Sequence, residues 1–309
     1  MVSACSMAVD FGGIKMRNPV GVASGTFGFG EQFEPFFDVG ETLGSVTCKG
    51  CSAVPWQGNP APRLAELPSG LMNAVGLQNP GIRALVSEHG EYLRGLEERG
   101  CRVIVQAAGH SVSEYVEAVE LYEELMPYAS GIELNVSCPN VDAGGAAMGS
   151  TPEGAAGVVR AVRDRTSRPL IVKMAPVSPA EVARACEAAG ADALSLINTI
   201  PGMAIDVRTR RSRVSRPTAG VSGPAIHAIA VRMVWEAAQA CALPICGIGG
   251  IECADDAAEM VLAGASCVAV GTANLSNPMA AAEVAAGLAE WAASQGAASI
   301  DELRGGFIW

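Results

Sequence analysis

Short runs of β-branched and other apolar residues recur along the chain, and each run is followed by a stretch with helical periodicity. We interpret as strands residues 20–24, 45–49, 102–107, 131–136, 170–174, 193–197, 243–247 and 267–271. Amphipathic stretches that we interpret as helices include residues 113–126, 152–165, 179–189, 224–240 and 254–263. Eight strands that alternate with helices in 309 residues favour a (β/α)8 TIM barrel over a doubly wound sheet.

Three connections of the predicted barrel are long, and each follows the carboxyl end of a strand. They span residues 50–81, 137–151 and 198–223. Barrel enzymes carry their chemistry on this face of the strands. No linker rich in Pro, Ser or charge divides the chain, so we expect residues 1–309 to form a single α/β domain with its site at the barrel mouth.

The composition narrows the class of protein further. Hydrophobic residues make up 50% of the chain and charged residues 17%, and the net charge is −11, which argues against nucleic acid or an anionic membrane as a partner. No stretch approaches the ~18 apolar residues that cross a bilayer. The first residues lack the basic start and apolar run of a secretory signal. We therefore expect a cytoplasmic protein whose cysteines stay reduced.

Two glycine-containing segments follow the last two predicted strands. They are GIGGI at residues 247–251 and GTAN at residues 271–274, and each precedes a helix. Backbone N–H groups in such segments bind anions with help from the helix N-terminus. Tight turning alone would explain either segment, but the loops after strands seven and eight are the usual phosphate site of this fold. The pair therefore predicts a phosphate-bearing ligand.

Two lysines and a cysteine stand at other strand ends. Lys49 and Lys173 lie in apolar runs, where each is either a strand-end lysine that reaches solvent or a fixed cation beside an anion formed on a cofactor. Cys138 follows a strand and precedes a glycine-rich segment. A thiol, with its reference pKa of ~8.5, suits a general base near neutral pH better than a serine hydroxyl, although a loop cysteine is often incidental.

Amide side chains occupy the same predicted rim. Asn73, Asn79, Asn198 and Thr199 suit a small, planar, polar substrate, although asparagine also serves turns for structural reasons. The 3 histidines do not cluster with acidic residues at ligand spacing, and the C-x-x-C of residues 48–51 has no second pair at metal spacing. We expect no metal site.

Nine segments together resemble the class 1 dihydroorotate dehydrogenases, in the order of that family and over nearly the whole chain. They are ASGTFGFG (23–30), GNPAPRLAE (58–66), LMNAVGLQNPG (71–81), ELNVSCPN (133–140), LIVKMAP (170–176), ALSLINTIPGMAID (193–206), GVSGPAI (220–226), GIGGI (247–251) and AVGTAN (269–274). The segments around residues 137–141 and 195–206 resemble the catalytic subunit of the NAD-linked class 1B type.

The resemblance implies an FMN-binding barrel that oxidises (S)-dihydroorotate to orotate in de novo pyrimidine (UMP) biosynthesis. It implies that Cys138 removes the C5 proton while hydride passes from C6 to FMN, with Lys49 and Asn135 also in the catalytic centre. The implied FMN contacts are Ser24, Lys49, Gly50, Gln106, Asn135, Lys173, Ile197, Gly223, Gly249, Gly250, Gly271 and Thr272. The implied substrate contacts are Lys49, Asn73, Ala74, Val75, Gly76, Leu77, Asn135, Asn198 and Thr199.

Two residues depart from the family pattern. Gln106 stands where the family often has an asparagine that contacts flavin, and it keeps the amide with one more methylene. Met148 stands where class 1B members often carry phenylalanine in the active-site loop.

The route of the electrons implies a partner. The chain has no G-x-G-x-x-G fingerprint after a first strand and no four-cysteine iron–sulfur run. The resemblance implies a separate subunit with FAD and a [2Fe–2S] cluster that passes electrons to NAD, and a homodimer of catalytic chains within a heterotetramer. The alternatives are a fumarate-linked class 1A enzyme, an FMN-dependent dihydropyrimidine dehydrogenase, and a non-catalytic flavin-binding barrel.

Overall fold

The computed structural model describes residues 5–136 and 148–308. Within these ranges the strands, in chain order, are β1 (Val9–Phe11), β2 (Ile14–Met16), β3 (Val20–Val22), β4 (Ser45–Thr47), β5 (Leu64–Leu67), β6 (Gly70–Asn73), β7 (Arg102–Ala107), β8 (Gly131–Asn135), β9 (Leu170–Lys173), β10 (Ala193–Leu196), β11 (Ile200–Gly202), β12 (Ile205–Asp206), β13 (Arg211–Ser212), β14 (Ala219–Ser222), β15 (Ile245–Ile248) and β16 (Cys267–Val270).

The α-helices of the same ranges lie mainly between strands that are far apart in the sequence. They are α1 (Val39–Thr42), α2 (Ile82–Glu98), α3 (Val112–Leu125), α4 (Pro152–Arg163), α5 (Pro179–Ala188), α6 (His227–Ala238), α7 (Ala254–Leu262), α8 (Ala273–Ser276) and α9 (Ala280–Ser294). Each of the helices predicted from amphipathic periodicity is present, with ends that differ by a few residues.

Eight parallel strands close into a barrel, which confirms the predicted (β/α)8 fold. The order around the barrel, within the described residues, is β3, β4, β7, β8, β9, β10, β15 and β16, with β16 pairing back to β3. All eight predicted strands are present. Several end a residue or two early, so that Ser24 and Lys49 lie just beyond β3 and β4 rather than inside them. These residues leave the sheet at the face where a barrel binds its ligands.

A short hairpin covers the opposite end of the barrel. Strands β1 and β2 are antiparallel and are joined by Gly12 and Gly13, which have φ values of 61° and 92°. Positive φ at both residues of a two-residue turn is what a type I′ hairpin requires, and glycine adopts it without steric cost. Phe11 of this hairpin is 1% exposed and lines the interior of the barrel with Ser45 and Cys267.

The long connections contain a second sheet that the sequence analysis treated as loop. Strands β11, β14, β6 and β5 form a four-stranded antiparallel sheet beside the barrel mouth. In its register Asn73 of β6 pairs with Gly220 of β14. Residues 64–73 are thereby joined to residues 200–222, and both predicted substrate-binding segments adjoin the same sheet.

Helices α4 and α5 each begin with a proline, but the residues that precede the two prolines act differently. The sequence predicts that Thr151 and Ser178 start helices because each precedes a proline. The Thr151 hydroxyl accepts a hydrogen bond from the Gly154 N–H at 3.1 Å and so caps α4. Ser178 lies at φ 40° and makes no side-chain cap for α5. Only Thr151 therefore acts as an N-cap in the usual way.

No helix in the described parts of the chain combines the length and the apolar character that a membrane crossing requires.

Arg168 joins α3 to the segment that enters β9. Its Nε lies 2.9 Å from Glu123 Oε1, and its Nη1 donates to the carbonyl oxygens of Met126 (2.8 Å) and Ala129 (3.3 Å). Its Nη2 donates to the Tyr122 carbonyl at 3.0 Å. The Tyr122 and Met126 carbonyls each also accept a backbone hydrogen bond, from Met126 N–H at 3.0 Å and from Ala129 N–H at 3.1 Å. One guanidinium therefore joins the Glu123 carboxylate to three carbonyl oxygens at and just after the C-terminal end of α3.

Arg168→Ala is expected to lower the free energy of unfolding by about 2–3 kcal/mol at pH 7, because it removes the hydrogen bonds of a side chain that is only 13% exposed, including a charge-assisted bond to Glu123. Burial raises the pKa of Glu123, but hydrogen bonds from Arg168 and Thr166 outweigh it and lower that pKa. A lowered carboxyl pKa contributes stability above the unfolded value, and this is lost as pH falls through the folded value. Urea unfolding curves at pH 7 and pH 3 should thus show that the loss of unfolding free energy in Arg168→Ala is smaller at pH 3. Arg165→Ala, which breaks a half-exposed pair 3.4 Å from Glu120, should change stability by no more than ~0.5 kcal/mol.

Candidate active site

The predicted cofactor residues converge at the carboxyl ends of the barrel strands. Parallel strands of a closed barrel end on one face, so residues distant in the sequence become neighbours there. The residues at or just past the strand ends are Ser24, Lys49, Gly50, Gln106, Asn135, Lys173, Ile197, Gly249, Gly250, Gly271 and Thr272. Gly223 precedes the short 3-10 helix at residues 224–226 and reaches the same face from the second sheet.

A chain of hydrogen bonds links four of these residues. The Gly50 N–H donates to Ser24 Oγ at 3.0 Å, and the Ser24 hydroxyl donates to Gln106 Oε1 at 3.0 Å. Asn135 Nδ2 donates to the same Gln106 oxygen at 3.4 Å. Asn198 Nδ2 in turn donates to Asn135 Oδ1 at 3.3 Å. The barrel mouth is therefore lined by one connected set of amide and hydroxyl groups.

Gln106 lies at the centre of that set, and both ends of its amide form hydrogen bonds. Its Nε2 donates to Glu133 Oε1 at 2.5 Å, while its Oε1 accepts from Ser24 and Asn135. The side chain is 2% exposed. A Cβ at Gly50 would lie 2.3 Å from Gln106 Oε1, so glycine at residue 50 leaves space for this amide. A direct contact of Gln106 with a cofactor stays a prediction.

Glu133 and Ser195 are polar residues of the barrel interior that the sequence analysis did not single out. Glu133 is 4% exposed, and Ser195 Oγ donates to Glu133 Oε2 at 2.5 Å. A buried carboxylate is costly unless hydrogen bonds satisfy it. The signal was the lone glutamate within the apolar run of β8, whose meaning depends on which residues of neighbouring strands face it.

Two buried tyrosines brace the strands of this network from behind. Tyr115 of α3 donates its hydroxyl to the Asn135 carbonyl at 2.5 Å, and Tyr122 donates to the Gln106 carbonyl at 3.1 Å. Both rings are at most 1% exposed. Because a buried phenol needs a polar partner, these bonds fix α3 against the two strands that carry the amides.

Lys173 ends β9 and its side chain is buried, with 6% of the residue exposed. In the parallel register it lies beside Asn135 on one neighbouring strand and Ser195 on the other. Within the described parts of the chain, no hydrogen bond or ion pair is formed by its ammonium group. An ammonium group in such a position favours an anionic or electron-rich ligand group nearby. Lys49 is only partly buried and lies across the mouth.

The predicted phosphate segments meet in a tight turn. Gly249 and Gly250 have φ values of 136° and 68°, and a Cβ on Gly250 would lie 2.7 Å from that of His227 and 2.9 Å from the Gly223 oxygen. Thr272 donates its hydroxyl to Ser222 Oγ at 2.8 Å, beside Gly223. A larger residue at position 250 would therefore push apart the segments that contain Gly223, His227 and Gly250. Anion binding by their backbone N–H groups stays a prediction.

His227 supports this turn, although the sequence analysis found no role for it. Its Nδ1 lies 2.8 Å from the Gly249 carbonyl oxygen, so that nitrogen carries the proton and donates to the turn. Its Nε2 faces α7, at 3.4 Å from Glu259 and 3.8 Å from Asp256. Among the described residues, no group of three or more metal-binding side chains is present.

Apart from Lys49 and Asn135, the predicted substrate residues lie on the second sheet, directly after its strand β6, or in the turn after β10. Asn73 Nδ2 donates to the Gly220 carbonyl at 3.4 Å, and a Cβ at Gly220 would approach the Thr199 hydroxyl. Asn198, next to Thr199, contacts Asn135 of the barrel. Ala74, Val75, Gly76 and Leu77 follow Asn73 as an irregular segment, in which Gly76 and Leu77 have φ values of 70° and 54°. The predicted cofactor and substrate residues thus form one continuous lining.

Cys138, the predicted base, lies outside the described residues. Asn79, which the sequence analysis placed among the polar residues of the rim, has a structural role instead. It is 5% exposed and bonds with Ser52 and the backbone of Gly81, so it holds the chain between β4 and α2. Met148 is partly buried and packs on the core at the start of a 3-10 helix.

The fold and this lining define a (β/α)8 barrel whose functional groups lie at the carboxyl ends of the strands. The chain belongs to the dihydroorotate dehydrogenase family, whose model matches residues 6–291. It is 48% identical over 301 residues, or 97% of both chains, to a protein of Geotalea daltonii named dihydroorotate dehydrogenase B (NAD(+)), catalytic subunit. Proteins of the same name from Geotalea uraniireducens and Trichlorobacter lovleyi are 48% and 47% identical over 304 and 302 residues, at least 97% of each chain.

Proposed function

We propose that this protein is an FMN-dependent dihydroorotate dehydrogenase of the NAD-linked class 1B type, which oxidises (S)-dihydroorotate to orotate in pyrimidine biosynthesis. Membership of the family and 48% identity over 97% of both chains to a catalytic subunit of that name carry this proposal. The motifs found in the sequence agree with it, because they follow the family order across nearly the whole chain.

The residues at the barrel mouth fit FMN. Gly249, Gly250, Gly223 and Thr272 surround a turn that has no room for a β-carbon at residue 250, which suits a phosphate held by backbone N–H groups. A Cβ at Gly271 would meet only Ala23 at 3.7 Å, so packing does not demand that glycine. FMN, when bound, would supply the acceptor for the hydride, and with it for the two electrons of the oxidation.

The remaining proposed FMN contacts would hold the ring of the cofactor. Ser24, Gly50, Gln106 and Asn135 present the connected amides and hydroxyls, and Lys173 places a buried cation beside them. Hydrogen-bond donors and cations near a reducible ring stabilise the negative charge that the ring gains. Lys49 and Ile197 complete the proposed contacts at the neighbouring strand ends.

The substrate is held by amides and by one lysine. We assign Lys49 and the backbone from Ala74 to Leu77 to the substrate carboxylate, and Asn73, Asn135, Asn198 and Thr199 to the ring edges. Cys138 acts as the base that removes the C5 proton. Proton and hydride leave adjacent ring carbons, so the amides must hold the ring within contact distance of both acceptors.

The electron route includes a second protein. The relatives are named catalytic subunits, which implies a further subunit in those enzymes. We propose that a partner with FAD and a [2Fe–2S] cluster relays electrons to NAD, that the catalytic chains pair as a homodimer within a heterotetramer, and that the assembly is cytoplasmic. The lack of a dinucleotide fingerprint in this chain supports that division of labour.

Anaerobic reduction of the purified chain tests the function. We expect a yellow protein with stoichiometric FMN, bleached by dihydroorotate within the turnover time and not by dihydrouracil. It should reduce an artificial acceptor dye but not NAD. Faster bleaching by dihydrouracil would indicate a dihydropyrimidine dehydrogenase, reoxidation by fumarate would indicate the class 1A type, and FMN that neither substrate bleaches would indicate a non-catalytic barrel.

A further inference from the structure

Asn59 lies at the junction of three segments near the proposed substrate site. Its backbone N–H donates to the Val75 carbonyl at 3.1 Å, and its Nδ2 donates to the Ala74 carbonyl at 3.0 Å. Its Oδ1 accepts from Arg216 Nε at 2.9 Å and Nη2 at 2.7 Å. Its own carbonyl accepts from Arg63 Nε at 2.6 Å. Every polar group of this residue is therefore engaged.

Arg63 ties the same two segments together from the other side. Its carbonyl accepts from the Ala74 N–H at 2.7 Å, and its Nη2 donates to the Gln57 carbonyl at 2.9 Å. Its Nη1 donates to Gln78 Oε1. Residues 57–63 and 74–78 are therefore joined at both ends, with Asn59 in the middle.

The backbone of residues 75–76 passes close to Asn59. A Cβ at Gly76 would lie 2.7 Å from Asn59 Nδ2, and one at Gly58 would lie 2.4 Å from the Val75 oxygen. Leu77 has φ 54°, a conformation that a residue with a side chain rarely adopts alone. The contacts to Asn59 and Arg63 hold the chain through this turn, since the backbone by itself does not favour it.

The guanidinium of Arg216 fixes the direction of the Asn59 amide. Arginine only donates hydrogen bonds, so the amide oxygen faces Arg216 and the amide N–H₂ faces the Ala74 carbonyl. Arg216 is exposed and comes from the turn between β13 and β14. The substrate segment is thus held through an asparagine that is itself oriented by an arginine from the connection between β13 and β14.

We propose that Asn59 is a positioning residue for substrate binding, which sets the backbone of residues 74–77 through its two donors and is oriented by Arg216. This inference rests on the proposed function, because the ligand that the segment receives is the carboxylate-bearing dihydropyrimidine. Asn59 acts on binding and not on the chemical step, since none of its contacts reaches the barrel residues assigned to FMN.

The test separates the donor role of Asn59 from its other contacts. Asn59→Asp keeps an acceptor for Arg216 but has no side-chain donor for the Ala74 carbonyl. Asn59→Ala removes the acceptor and the side-chain donor together. We expect each to raise the KM for dihydroorotate and the Kd for orotate, read from the flavin spectrum, by about tenfold. FMN content and kcat should stay within about twofold of the wild type.

Two arginine variants give a matched control on the surface. Arg216→Ala should raise KM by about threefold, since it releases the Asn59 amide but leaves its donors in place. Arg208→Ala removes the same charge from an exposed residue of the same connection and should leave KM unchanged. Equal effects of the two would assign the result to surface charge and overturn the proposal.

The remaining outcomes are also decisive. A wild-type KM in Asn59→Asp would overturn the positioning role, as would a fall in kcat at unchanged KM. Thermal melts show whether each variant is folded. If Asn59→Ala does not fold, the test relies on Arg216→Ala, which alters only an exposed side chain. A wild-type protein that dihydroorotate does not reduce would instead contradict the proposed function itself.

Discussion

Replacing Lys173 with alanine is expected to slow reduction of bound FMN by dihydroorotate about 10²–10³-fold, the cost of removing one preorganised electrostatic group. The ammonium is buried at the end of β9 beside Asn135 and makes no hydrogen bond or ion pair within the described residues. Its charge is therefore available to a ligand at the barrel mouth. Anaerobic stopped-flow absorbance, with excess FMN to saturate the site, measures the rate.

Lys15 provides the control for that measurement. It is exposed on β2, at the opposite end of the barrel, so Lys15→Ala removes a like charge without touching the mouth. We expect that variant to match the wild type. A Lys173→Ala protein that binds FMN and is reduced within about threefold of the wild-type rate would exclude the lysine from catalysis.

Replacing Cys138 with serine is expected to lower turnover at neutral pH by about 10²–10⁴-fold, the usual contribution of a positioned general base. A thiol has a reference pKa of ~8.5 and loses its proton far more readily than a hydroxyl. The rate of the variant should rise at high pH, giving partial rescue. A pH–rate profile with dihydroorotate and an acceptor dye checks both statements.

Other thiols serve as comparisons for Cys138. Burial raises the pKa of Cys51 to about 12 and that of Cys101 to about 12, so neither supplies a thiolate at neutral pH. Cys253 is exposed at the start of α7. Cys253→Ser should keep wild-type activity, whereas unchanged turnover in Cys138→Ser would remove Cys138 from the mechanism.

The barrel was predictable because its signal is local. Each strand is a short apolar run before an amphipathic helix, and a fully buried parallel strand such as Cys267–Val270 reads as continuous apolar sequence. The glycine segments after the last two strands were placed correctly for the same reason, since the fold alone brings residues 249–250 and 271–272 to one face.

The second sheet was missed because its signal is not local. Leu64–Leu67 alternates exposed and half-buried residues over four positions, too short a pattern to identify a strand. Its partners arrive from far along the chain, as when Asn73 pairs with Gly220. The same limit applies to Glu133 and Gln106, whose contact depends on the register between β7 and β8.

The acceptor-only carboxylate of Glu133 gives the hydrogen bonds above it a direction. A carboxylate accepts hydrogen bonds and donates none, so the Gln106 amide must turn its nitrogen toward Glu133 and its oxygen toward Ser24 and Asn135. Asn135 then points its nitrogen at Gln106 and shows its oxygen to Asn198. The order of hydrogen-bond donors and acceptors at the barrel mouth is therefore set by Glu133, a residue of the barrel interior that is only 4% exposed.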